Sequence, residues 1–481
     1  MRSFKQIFRS QMLLSSRKRT RKSMDNIHTH ISVFLILITV ISRTNGFILE
    51  EKCDAPIQCT CSSPTIDCSN KRLPRIPQFN MSNPLHMMYL QLQHNRIIVV
   101  PEDSFVGISA DQMYIDMSSN HMRDIHPLAF KSIQDKITIL KLDHNLLTTV
   151  PVAVANLTKL VYLDVHANPI KSFDQTVLEP LGGHLEIFYA GSDSLAEWPS
   201  ELSFLKHLKA LHLFDFTMND LPVDAFKSVA TSLVNFEIDG SNLTRIPHAV
   251  CNLQRVVNFY FTSNINLDDD DILPVCNSAL TSVTSVTMDN NNLVEFPRVF
   301  TLFPSMSSLS LSSNPRLTSM SGVSVPESTA LTSLTLRENN FYEIPQHIGN
   351  LTNLRTLDFQ SNNITELFDN DLDHLTHLTR LLLSNNPISL IDDHTFTNRS
   401  SLYQLSLDGT DLPTIPRTIQ DLKNLHTLDF RKNKLNCSCD YLAWMKSWPQ
   451  VNSIHITGEC ANPHFGEPIQ TFILLELPRC Q

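Results

Sequence analysis

The pattern L-x-x-L-x-L-x-x-N-x-L can be laid down fifteen times along the chain, and no other feature restricts its folding as tightly. The ninth place falls at Asn95, Asn120, Asn145, Asn168, Asp193, Phe216, Ser241, Asn264, Asn291, Asn314, Asn339, Asn362, Asn386, Thr410 and Asn433, at intervals of 23 to 27 residues. Such a period belongs to stacked supersecondary units, each too small to bury its own apolar face. In each unit the fourth and sixth residues project to one side of a short strand, and the third, fifth and seventh to the other. One side is therefore a stacked interior and the other a surface.

Asparagine fills eleven of the fifteen slots. Its amide offers two donors and an acceptor, which suits it to a turn whose backbone would otherwise be buried without partners. Asp193, Ser241 and Thr410 are expected to bond in the same way. Phe216 has no polar atom, so a distorted turn is expected in the sixth repeat. Proline follows an apolar residue at Pro101, Pro151, Pro199, Pro247, Pro297 and Pro345, every 48 to 50 residues. Alternate repeats thus share a proline-opened segment behind the strand. Pro222 is an extra instance, and the alternation slips at the thirteenth repeat before returning at Pro416.

The N-terminus reads differently. Residues 1–46 hold nine Lys/Arg and one Asp, and a 12-residue apolar run, "ISVFLILITVIS", spans 31–42. At ~1.5 Å per residue that run is short of a hydrocarbon core of ~30 Å but suits a secretory signal cleaved after Gly46. Met24 is an alternative start, and a membrane anchor is the rival reading. Removal takes away a net +8 and leaves −18, against −10 for the whole chain. Such a charge disfavours non-specific nucleic-acid binding. Ten cysteines, grouped four, two and four, then read as disulfides of an oxidising compartment, since no Cys/His spacing suits a zinc finger.

The terminal clusters "CDAPIQCTCSSPTIDC" (53–68) and "CSCDYLAWMKSWPQ…GEC…PRC" (437–480) resemble the caps of extracellular leucine-rich-repeat proteins such as Slit, the Toll-type receptors and the small proteoglycans. The resemblance implies an α/β-type solenoid, a horseshoe of about fifteen repeats with a parallel concave sheet, closed at both ends by disulfide modules. The expected organisation is a signal peptide (1–46), an N-terminal cap (47–84), repeats (85–434) and a C-terminal cap (435–481). Family pairing implies Cys53–Cys61, Cys59–Cys68, Cys437–Cys460 and Cys439–Cys480; sequence alone leaves three connectivities per cap. Cys251 and Cys276 fall on neighbouring repeats, where either a bridge or two buried thiols fits.

The three outward rows differ along the chain. Repeats one to eight place Tyr89, Tyr114, Tyr162, Tyr189, Phe214 and Tyr260 there, and repeats nine to fifteen place no aromatic residue. Asp116, Asp143, Asp164, Glu237, Asp239 and Asp289 occupy the same rows of the first nine repeats against one base, Lys141. Tyrosine gives large contact area with a polar tip, and carboxylates steer a basic partner. The expected ligand-binding set is Tyr89, Tyr114, Asp116, Asp143, Tyr162, Asp164, Tyr189, Phe214, Glu237, Asp239 and Tyr260, facing a protein with exposed Lys/Arg. Strand propensity alone also places tyrosine on strands, but it predicts aromatics in both halves. The serine rows of "MSSLSLSSNPRL" (306–317) read as inert surface.

Other features are weaker. "LDDDDIL" (267–273) lacks EF-hand spacing and reads as a solvated turn. His144, His166 and His212 lie on or beside the concave rows, where histidine can ligate metal or sense pH, but surface histidines are commoner; no metal or cofactor is expected. "RKNKLNC" (431–437) is a small basic patch. No catalytic motif appears, so no enzyme is expected. Sequons at Asn80, Asn156, Asn242, Asn350, Asn363, Asn398 and Asn436 lie outside the three rows, leaving that face free of N-glycan. The expectation is a secreted recognition protein. A matrix component, or a shortened receptor ectodomain given that the sequence runs one residue past Cys480, is the alternative.

Overall fold

The computed structural model describes residues 55–480 except 268–271, 327 and 464. The expected leader, Met24, Cys53 and the aspartates of "LDDDDIL" lie outside the described residues. Strand alternation works as the pattern requires. Every fourth- and sixth-place side chain, from Leu90 and Leu92 through Leu309 and Leu311 to Leu428 and Phe430, is buried. These residues stack in one continuous interior with phenylalanines from the far side, as where Phe105 meets Phe130 (5.3 Å) and Phe303 meets the strand residue Phe259 (5.2 Å).

The strands join one 18-stranded sheet. A hairpin in the N-terminal module, Thr60–Ser62 with Thr65–Asp67, pairs antiparallel and then hands over to Leu85–Gln91 in parallel. Parallel pairing continues strand to strand as far as His455–Thr457, which lies in the C-terminal module and pairs with Thr427–Asp429. Like places sit side by side: Asp164 beside Tyr189, Tyr189 beside His212, His212 beside Glu237, and Glu237 beside Tyr260.

After each strand the chain turns back through its eighth place, and the backbone there is left-handed. Twelve non-glycine residues adopt it, among them His94, Ser119, His144, Ser313 and Lys432, with φ between 51° and 60°. That conformation costs ~1–2 kcal/mol. A further ladder bond offsets it, as in Ser119 N–H to the Asp143 carbonyl (2.9 Å) and Ser313 N–H to the Arg337 carbonyl (2.8 Å). The asparagines then lock the turn. Asn168 accepts from Leu147 N–H (3.0 Å) and donates to the carbonyls of Leu142 (2.9 Å) and Val165 (3.0 Å), tying its own repeat to the one before.

The substitute residues depart from expectation. Thr410 does bond, donating Oγ1 to the Leu407 carbonyl at 3.2 Å. Asp193 is exposed instead; buried Ser192, one residue earlier, takes the Ser194 N–H. The Ser241 hydroxyl is buried without a partner, because serine is too short to span the turn. Phe216 sinks into the interior against Trp198, 6.1 Å between ring centroids, and Thr217 Oγ1 bonds the Leu195 carbonyl.

The proline period also has a structural counterpart. Pro151, Pro199, Pro247, Pro345 and Pro416 each precede a five-residue 3₁₀ helix, such as Val152–Asn156, where a fixed φ and a missing N–H cost nothing. Pro297 leads instead into a short α-helix, Val299–Leu302, and Pro101 into turns. Disulfides join Cys59–Cys68, Cys251–Cys276, Cys437–Cys460 and Cys439–Cys480. Cys61 is also disulfide-bonded. In the C-terminal module the helix Ile469–Leu475 and buried Trp448 cover the last repeat's apolar end.

Candidate functional site

The face opposite the interior carries the three outward rows, and its chemistry changes midway. In repeats four to seven the rows interlock. Tyr189 stacks on His212 with centroids 4.0 Å apart and an 8° tilt, and Tyr162 lies 5.3 Å from Tyr189. The carboxylate of Glu237 accepts from His212 Nδ1–H at 2.5 Å, and that of Asp164 accepts from His166 Nδ1–H at 2.6 Å. Gly191 makes this crowding possible. It pairs beside Phe214, and a Cβ on it would stand 2.0 Å from the Phe214 carbonyl oxygen. With no side chain in that place, the rings of His166 and Phe214 close over it to 4.8 Å, although the fifth repeat lies between them.

The consequence is a difference from the sequence reading. Tyr162, Asp164, Tyr189 and Glu237 are expected as open lining, yet they are 4%, 3%, 5% and 4% exposed. Strand spacing brings like places within ~5 Å, so large side chains in neighbouring repeats cover one another. Tyr89, Tyr114, Asp116, Asp143, Phe214, Asp239 and Tyr260 remain half-buried and present their edges. Tyr89 and Tyr114 form a second ring pair at 5.6 Å. His212, which the sequence places only among surface histidines, is buried in the middle of the cluster and leaves Nε2 without a partner. Its signal was the row register beside Tyr189 and Glu237.

Electrostatics follow from this packing. Burial, reinforced by nearby carboxylates, lifts the phenols of Tyr114, Tyr162 and Tyr189 well above their ordinary range, so they stay neutral donors. Burial works against charge on His166, but the bonded Asp164 carboxylate and Asp143 outweigh it and raise its pKa. Asp239 is pushed up to about 6, chiefly by burial and then by Glu237 and Asp215.

The far half of the face is built otherwise. Its carboxylates meet bases: Arg431 on Asp429 (2.6 Å), Lys432 on Asp408 (3.1 Å) and Arg337 near Asp358 (4.0 Å). The serine rows are not inert. Ser310 Oγ and Ser312 N–H both donate to Asp289 Oδ1 at 2.7 Å, so these serines fix the last acid of the acidic half. Six sequon asparagines are exposed and Asn436, beside Cys437, is half-buried.

Comparison with known proteins agrees with this architecture. The family description "Leucine rich repeat" matches residues 113–170, 329–388 and 376–435. Human epiphycan is 27% identical over 208 residues, covering 41% of this chain; the chain spans 61% of epiphycan's length. The structure titled "TLR13-ssRNA13 complex" superposes with a TM-score of 0.57 at 17% identity, covering 85% of this chain and 66% of that one. A leucine-rich-repeat protein of Leptospira interrogans gives 0.51 at 18% identity, with 81% and 95% covered. At such identities the two structures speak to the fold.

Proposed function

We propose that this leucine-rich-repeat protein acts outside the cell as a recognition protein, taking a protein ligand or cell-surface partner with exposed Lys/Arg on the sheet face of its N-terminal half. One observation carries the reading: aromatic edges and carboxylates share the rows of repeats one to eight, while in repeats nine to fifteen the rows lack aromatics, Asp289 is held by serines, and Asp358, Asp408 and Asp429 are met by bases. Half-buried Tyr89, Tyr114, Phe214 and Tyr260 supply contact area; Tyr89 packs on Tyr114 and Phe214 on buried Tyr189, which lowers the side-chain entropy lost on binding. Acidic rows favour a cationic partner's approach and oppose a polyanion, so the RNA named for TLR13 is a poor guide to this ligand.

Disulfides among the described residues fit an oxidising compartment, and no described helix is long and apolar enough to cross a membrane. Six exposed sequons off the rows suit a glycoprotein whose binding face stays bare. The test is saturable binding of residues 47–481 to cells. Changing Tyr89, Tyr114 and Tyr260 to alanine together, which creates no sequon, is expected to weaken binding at least tenfold with secretion intact. Undiminished binding refutes the reading. Retention in matrix extracts, with no saturable cell binding, favours the matrix-component alternative.

A further inference from the structure

Asp143, His144 and His166 meet at the edge of the aromatic cluster. Asp143 and His144 follow the strand Ile137–Lys141 of the third repeat, His166 follows the strand Tyr162–Asp164 of the fourth, and one ligand atom from each lies within 4.8 Å of the others. The left-handed backbone at His144 (φ 54°) turns the chain there, while its N–H bonds the His166 carbonyl at 3.2 Å and pins the two residues side by side. Their rings stand edge-to-face, 5.1 Å between centroids.

Three further features suit a metal ion. Asp143 keeps a buried Oδ1 with no hydrogen-bond partner, although His144 bonds its other oxygen. The Asp164 carboxylate holds His166 by Nδ1 at 2.6 Å, leaving Nε2 as the ring's remaining nitrogen. A carboxylate behind a histidine is the usual support of a metal-ligating imidazole. His144 is more than half exposed and free to close the remaining distance. Ligands at ~2.0–2.2 Å around a tetrahedral ion lie ~3.4 Å apart, so the widest pair has only about 1.4 Å to close.

We propose that Asp143, His144 and His166 form a site for a divalent first-row metal ion, zinc by its nitrogen-and-oxygen donor set, with Asp164 as the positioning residue. Three protein ligands leave a fourth place open for water or a partner's side chain. The proposal does not lean on the partner reading, because metal uptake is measured without any partner.

The test uses tag-free residues 47–481, stripped with chelator and titrated with Zn²⁺ against a competing indicator. Co²⁺ absorbance reports nitrogen ligation. Wild type is expected to show one tightest site, H144A and D143N to lose its affinity at least tenfold, and D164N by roughly ten- to a hundredfold. H86A, at the histidine–aspartate pair His86–Asp111 elsewhere, is expected to bind as wild type. His144 is exposed, so H144A should keep the native circular dichroism. Wild-type zinc affinity in both H144A and D143N, or a Co²⁺ spectrum unchanged by H144A, overturns the proposal.

Discussion

Replacing Asn168 with leucine tests the ladder that carries the sheet face. The side chain is 3% exposed and sits directly beneath the Tyr162–Asp164–His166 strand. Removing its amide strips the Leu147 N–H of its acceptor and the Val165 carbonyl of its side-chain donor; the Leu142 carbonyl keeps Asn145 at 3.0 Å. Two orphaned buried groups at ~1–3 kcal/mol each make a loss of roughly 2–6 kcal/mol, a large share of a domain's stability. Repeats couple to neighbours, so the loss should concentrate in repeats three to five rather than unfold the whole array. Hydrogen exchange reads this directly, as a fall of roughly thirty- to ten-thousandfold in amide protection around 140–170, with little change beyond residue 330. Wild-type protection there would refute the bonding argument. So would a uniform loss along the chain.

Three other outcomes follow from single features. Asp239 titrates near 6 when folded and near 3.8 when unfolded, so the folded chain binds the extra proton between those values. Stability should therefore fall as pH rises through that window, and D239Q, which writes no sequon with Ser241, should remove the slope and gain on the order of 1–2 kcal/mol at neutral pH by chemical denaturation. Gly191→Ala forces a Cβ to within 2.0 Å of the Phe214 carbonyl, and secretion should drop sharply or the protein should lose protection in the strands 187–191 and 210–214. Cys251→Ser with Cys276→Ser opens a crosslink of sequence separation 25 and should cost about 3 kcal/mol, read as faster proteolysis between those residues.

The architecture was legible because strand alternation and the asparagine slot are local rules that repeat. Leucine and asparagine positions were found by counting alone. The substitutes were less readable: Asp193 and Ser241 have the right chemistry, but reach and register, visible only in three dimensions, decided that neither closes its turn. The face was half legible. Period two assigned the rows, but whether a row residue lies open depends on its neighbours in adjacent repeats, and Gly191 draws His166, Tyr189 and Phe214 together in a way no single repeat displays. The meeting of Asp143, His144 and His166 was not legible, because it crosses repeats. The serines at 310 and 312 looked blank because their carboxylate partner, Asp289, belongs to the preceding repeat.

A pair of glycan wedges tests the central claim most directly. Asp116→Asn writes an N-x-S sequon with Ser118 into the aromatic half of the face, and Ser310→Asn writes one with Ser312 into the serine-rich half. Both lie in the fifth-place row, at half-buried positions. With occupancy read by mass and Asp116→Gln as the charge control, the account predicts that the glycan at 116 abolishes saturable cell binding and the glycan at 310 leaves it intact. Full binding with the glycan at 116, or loss only with the glycan at 310, would contradict it.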